Sequence, residues 1–131
     1  MIADSRTSVA FTGHRTYRDA AADALRRTVG ELYARGFRNF LSGMAVGFDL
    51  AAAEAVLELR ERAPGVRLVA AVPFRGQEMR FSPADRERFR RVLAEADSVE
   101  VLAPAYHRGC YAVGNDFLVD NARVLVAWYD G

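Results

Sequence analysis

The sequence predicts a Rossmann-like α/β domain, a three-layer sandwich around a mainly parallel sheet of about five strands. Three observations predict it. Short apolar runs alternate along the chain with amphipathic segments of helical length. Residues 66–74, VRLVAAVPF, are apolar without alternation, as in strands covered by helices on both faces. Glycine-bearing turns follow the first two strands, where open α/β folds place their ligands. The 131 residues fit one domain, 1–131, and folding at that length buries roughly two thirds of the unfolded chain's surface.

The elements follow in order. Residues 8–12, SVAFT, form a short apolar strand. Residues 19–35 place Ala22, Leu25, Val29, Leu32 and Tyr33 at helical spacing and stop at Gly36, a C-cap. Asn39–Ser42 is the second strand, and 49–62 the second helix, ended by Pro64 and Gly65. After the strand at 66–74, Ser82 and Pro83 read as the N-cap and first position of a helix that turns Phe89, Val92 and Leu93 inward. A strand at 98–102, a helix at 109–121 and a strand at 124–129 complete the pattern. The last strand is apolar enough to read as an interior strand.

Composition excludes several classes of function. All 18 basic residues are arginine, so neither a Walker-type phosphate loop nor Schiff-base chemistry is available. The net charge of +1 gives no bulk attraction to nucleic acid or to a membrane surface, so both are unexpected as partners. Two histidines and one cysteine cannot close a structural zinc site of the usual kind, and neither a metal nor a cofactor is expected. The single Cys110 and the absence of a leader-like or membrane-length apolar run predict a cytoplasmic protein. The dinucleotide fingerprint G-x-G-x-x-G, the nucleophile elbow G-x-S-x-G and H-E-x-x-H are all missing.

What remains is binding chemistry. In the turn SGMAVGFD, Gly43 and Gly47 let backbone approach a ligand. Gly43, Met44 and Ala45 offer N–H groups, Ser42 a hydroxyl, and the following helix its positive end. Asp49 suits a helix cap or a ribose hydroxyl; the alternative for the whole turn is simple strand-to-helix geometry. The turn TGHR adds Gly13, His14 and Arg15, the arginine suited to a bidentate phosphate contact and His14 more to a polar contact than to catalysis. Gln77 and Arg80 follow the third strand on the same sheet edge, while Arg75 reads as a surface residue. Tyr111 and Asn115, four apart on one helix face, suit either a base or the core, and Cys110 reads as a packed thiol.

The succession FTGHR, SGMAVGFDLAAAE, VPFRGQEMRFS, Y-x-x-G-C-Y, N-x-F-x-V-D-N-A and VAWYDG resembles the YpsA-like branch of the SLOG superfamily, which groups DprA with the LOG phosphoribohydrolases. The resemblance runs over nearly the whole chain. It implies a domain that binds or senses a nucleotide or nucleotide-derived ligand, at Gly13, His14, Arg15, Ser42, Gly43, Met44, Gly47, Asp49, Gln77 and Asn115. Two departures stand out. Gly114 precedes Asn115 where the family carries arginine, and the family's Gly-Gly-Thr loop would fall just after Gly131, so the chain reads as a C-terminally shortened member. In the LOG enzymes the catalytic glutamate follows the related loop.

A non-catalytic binding module is therefore the preferred expectation, and no catalytic residue is assigned. The enzyme alternative is N-glycosidic cleavage of a nucleoside 5′-monophosphate with Glu54 as the substitute carboxylate. The third reading is DprA-like binding of single-stranded DNA, for which Arg86, Arg88, Arg90 and Arg91 would supply local charge, although they read more simply as a solvated helix face. An apolar last strand and an Ala/Leu-rich helix face at 50–59 further predict a homo-oligomer, with Trp128 and Tyr129 near buried surface. Light scattering at micromolar concentration should return at least twice the mass of one chain; a folded monomer would refute self-association.

Overall fold

A computed structural model describes residues 5–13 and 22–128. Five strands, β1 (Ser8–Gly13), β2 (Asn39–Ser42), β3 (Arg67–Val72), β4 (Ser98–Val101) and β5 (Val124–Trp128), pair in parallel in the order β4-β3-β2-β1-β5. Helices α1 (Ala22–Ala34), α2 (Phe48–Arg60) and α3 (Pro83–Glu95) connect β1 through β4, each moving one strand across the sheet. Helix α4 (Cys110–Asp120) then carries the chain from β4 back across to β5, beside β1. Right-handed crossovers running in opposite directions must cover opposite faces of one sheet. The packing obeys this rule. Phe11, Phe40, Leu68 and Val72 join α1, α2 and α3 in the main core, while Ala10, Leu41, Val69 and Ala71 meet Leu118 of α4 on the other face. The result is the Rossmann-like arrangement expected.

The local chemistry explains the element ends. Gly36 has φ +102°, the left-handed conformation that closes α1, and Gly65 has φ +84° beyond α2. β3 stops at Val72, before Pro73, which has no N–H for the ladder and shortens the strand expected at 66–74. Ser82 caps α3 by accepting a hydrogen bond from the Asp85 N–H at 3.2 Å. Phe89 and Val92 are buried, and Leu93 packs at the margin of the same core.

β5 is the last strand of the sheet, beside β1; Val124 and Val126 pack toward the main core, and Leu125 is 47% exposed. One expectation changes: the α2 face is not spare. The helix lies between α1 and α3 and over β1, β2 and β3, so Leu50, Val56 and Leu59 are consumed by the chain's own core. The Trp128 side chain and Tyr129 lie outside the described residues. No described helix is long and apolar enough to cross a membrane.

Removing the α3 cap with Ser82→Ala should cost about 1 kcal/mol in urea unfolding, with an unchanged m-value. An unaltered midpoint would show that the cap bond contributes nothing.

Candidate functional site

All strands are parallel, so the β1, β2 and β3 ends share one sheet edge, and the β2–α2 turn is its most constrained part. The chain leaves β2 at Ser42, fully buried, and enters α2 six residues later. The Ser42 hydroxyl bridges the turn: it donates to the Asp49 carbonyl at 2.8 Å and accepts from the Met44 N–H at 3.2 Å. Met44 has φ +66°, an uncommon conformation for a residue with a side chain, held by complete burial of that side chain. Gly47 has φ +87° and ψ −124°, accessible in practice only to glycine, and stands as N-cap of α2 with no side-chain cap bond.

Asp49 does not cap the helix in the usual sense. Its Oδ2 accepts from the Ala45 N–H at 3.4 Å and so braces the turn, while Oδ1, fully buried, has no partner among the described residues. Burial pushes the Asp49 carboxyl up to about 7, against the smaller downward pull of the Ala45 hydrogen bond. Gln77, from the 3-10 turn Gln77–Arg80, is also buried. Its Nε2 donates to the Gly43 carbonyl at 3.3 Å, and its Oε1 is likewise unpartnered among the described residues. Two buried acceptors therefore lack donors within one small region, an expensive arrangement unless a bound molecule brings the donors.

The region is a cavity of about 180 Å³. Gly13, Gly43, Asp49, Gln77 and Asn115 line it, so the structure brings together five of the ten predicted residues, from four separate stretches of chain. Ser42 and Met44 lie beneath as turn supports, with the Met44 N–H already engaged, and Gly47 sets the start of α2. His14 and Arg15 fall outside the described residues. The glycines also serve packing. A Cβ on Gly13 would stand 2.6 Å from the Phe48 Cβ, and one on Gly43 would stand 3.0 Å from Asp49 Oδ2.

Sequence reasoning missed Thr12, Pro73 and Gly114 as cavity walls. Gly114 lies against Pro73 there: a Cβ on it would stand 3.4 Å from the Pro73 Cβ, about ordinary van der Waals contact. The proposed substitute catalyst, Glu54, is turned away. It lies five residues after Asp49, about 140° around the helix, and is bound by Arg88 at 2.6 and 3.1 Å on the α3 side. Nor are the α3 arginines one solvated face. Arg88 holds Glu54 and Asp85, and Arg86 donates to the Glu78, Met79 and Phe81 carbonyls. Cys110 is buried, and His107 is exposed with Nδ1 3.0 Å from its neighbour's carbonyl.

These features define a Rossmann-like domain with a glycine-lined, acceptor-rich cavity at the carboxyl edge of its sheet. The chain belongs to the YspA SLOG family, whose sequence model, YpsA, matches residues 9–131. It is 40% identical over 88 residues to a UPF0398 protein of Shouchella clausii, covering 65% of this chain and 47% of that protein. A UPF0398 protein of Bacillus pumilus is 30% identical over 108 residues, covering 81% and 58% respectively. The chain spans about half the length of the curated relatives it matches. Among solved structures, DNA processing protein A from Helicobacter pylori, described for its single-stranded DNA binding mode, superposes with a TM-score of 0.64. That match has 19% identity over 97% of this chain and 56% of that one, a likeness of fold.

The buried carboxyl makes stability depend on pH in a definite sense. Because the Asp49 value rises from 3.8 unfolded to about 7 folded, the folded state holds the proton more tightly. Its contribution is fully present below pH 3.8 and is lost as pH rises through about 7. Asp49→Asn should therefore raise the Tm at pH 8, through a stability gain on the order of a few kcal/mol at most, and the gain should shrink at pH 5. Melting curves giving the same difference at both pH values would show that Asp49 is not held protonated.

Proposed function

We propose that this domain binds a nucleotide or nucleotide-derived molecule without turning it over, with sugar hydroxyls donating to Asp49 Oδ1 and Gln77 Oε1. The pair of buried acceptors without donors carries the reading. A phosphate placed against them would meet only oxygen acceptors, whereas a ribose brings O–H donors and is small enough for a glycine-walled cavity. Asn115, exposed at the cavity wall, adds both a donor and an acceptor. Family membership supports the nucleotide class in the terms the sequence resemblance implies. The non-catalytic part rests on the position of Glu54, which is held by Arg88 away from the cavity.

Single-stranded DNA is the competing ligand, because the Helicobacter pylori neighbour binds it. It calls for a row of free cations along a groove. Arg86 and Arg88 are engaged within the protein, which leaves Arg90 and Arg91 as the exposed cations of that helix, two in place of the four the sequence offered.

Calorimetric titration with ribose 5-phosphate and with the four common ribonucleoside monophosphates tests this. At least one should bind saturably with no release of free base, and at pH 8, where Asp49 is ionised, Asp49→Asn should weaken it roughly tenfold or more by replacing a charged acceptor with a neutral amide. Adenine released from AMP would establish the hydrolase instead. Binding confined to oligonucleotides, falling steeply with salt, would establish the DNA reading.

A further inference from the structure

A second cavity opens beside the glycine-lined one and shares Gln77 and Tyr111 with it. At about 620 Å³ it falls in the size range of small-molecule sites, and its wall is aromatic. The Phe74 ring lies 5.3 Å from Tyr106 at 78° and 5.7 Å from Tyr111 at 87°, so one ring anchors both tyrosines edge to face. Neither tyrosine is buried in the core: Tyr106 is 61% exposed and Tyr111 41%. Arg75 and Arg80 stand at the rim with no ion-pair partner among the described residues.

Exposed aromatic rings held in place by a third ring form a prearranged stacking surface, and guanidinium groups beside it favour an electron-rich or anionic guest. Tyr111 and Gln77 line both cavities, so the two spaces adjoin and one molecule can reach from the first into the second. From this geometry, and resting on the sugar reading above, we infer that the Phe74–Tyr106–Tyr111 recess receives the base of the nucleotide whose ribose sits at Asp49 and Gln77. The site is then bipartite: hydrogen-bond acceptors read the sugar, and aromatic faces take up the planar base. Base–aromatic stacking tolerates any base, so the recess supplies affinity more than choice among bases.

The test titrates the full chain with ribose 5-phosphate and with AMP, GMP, CMP and UMP, in the parent, Tyr106→Ala and Tyr106→Phe. Tyr106 lines the recess but not the sugar cavity, and its exposure leaves the fold intact on substitution. At least one nucleotide should bind about tenfold or more tightly than ribose 5-phosphate. Tyr106→Ala should remove most of that advantage, Tyr106→Phe should keep it, and ribose 5-phosphate should bind all three proteins alike. Equal affinity for ribose 5-phosphate and every nucleotide, or a nucleotide preference untouched by Tyr106→Ala, would overturn the recess while leaving the sugar reading in place. Failure of all five compounds to bind would overturn both. Tight, salt-sensitive binding of oligothymidylate that is lost in Tyr106→Ala would assign the recess to single-stranded DNA and overturn the inference.

Discussion

The passage from β2 into α2 governs the rest of the molecule. Both elements are buried, so the chain must reverse within a few residues without exposing apolar surface or stranding backbone groups. The Ser42 hydroxyl makes this possible by bonding to the turn at Met44 and to the helix at Asp49. Met44 in the left-handed region and Gly47 in a glycine-only one complete the bend. Each of these conformations is unfavourable alone. They persist because Met44, Phe48 and Leu50 are locked into the main core on either side, which ties turn geometry to the packing of α2 against three strands.

The same bend creates the chemistry of the site. Asp49 is two residues into a buried helix, so its carboxyl is drawn under the turn and away from water. Only one oxygen finds a partner, the Ala45 N–H. Gln77 arrives from a different crossover and is held by the Gly43 carbonyl through its Nε2, with its own carbonyl oxygen buried and unpartnered among the described residues. A carboxyl whose value is lifted to about 7 by burial can stand neutral or charged near physiological pH. A sugar hydroxyl, both donor and acceptor, can pair with either form. The glycines fit this account as packing devices as much as ligand devices, because Gly13 makes room for Phe48 and Gly43 for the Asp49 carboxyl.

Much of this was legible in the sequence. The alternation of apolar runs and helical periods set the α/β class, and Ser82 with Pro83 set the start of α3, because caps and periods are local properties of the chain. The glycine turns, Asp49 and Gln77 stood out as chemistry at strand ends. The divergence of Glu54 from Asp49 was legible too, since five residues carry a side chain about 140° around the helix axis; that Arg88 holds Glu54 on the α3 side was not. β5 was legible only in part: its apolar run is evident, but which of its side chains pack against the main core is decided by distant segments.

The sequence by itself determined the elements, their order and the residue types gathered at one sheet edge, since propensity, periodicity and capping act over a few neighbours. Only the tertiary structure decided which side chains meet. The strand order β4-β3-β2-β1-β5 sends α4 to the face opposite α1, α2 and α3, and so brings Tyr111 and Asn115 over the end of β1 and against Gln77. Burial decided the rest. An aspartate reads as a charge in the sequence, but whether it keeps that charge depends on how much water the surrounding core removes.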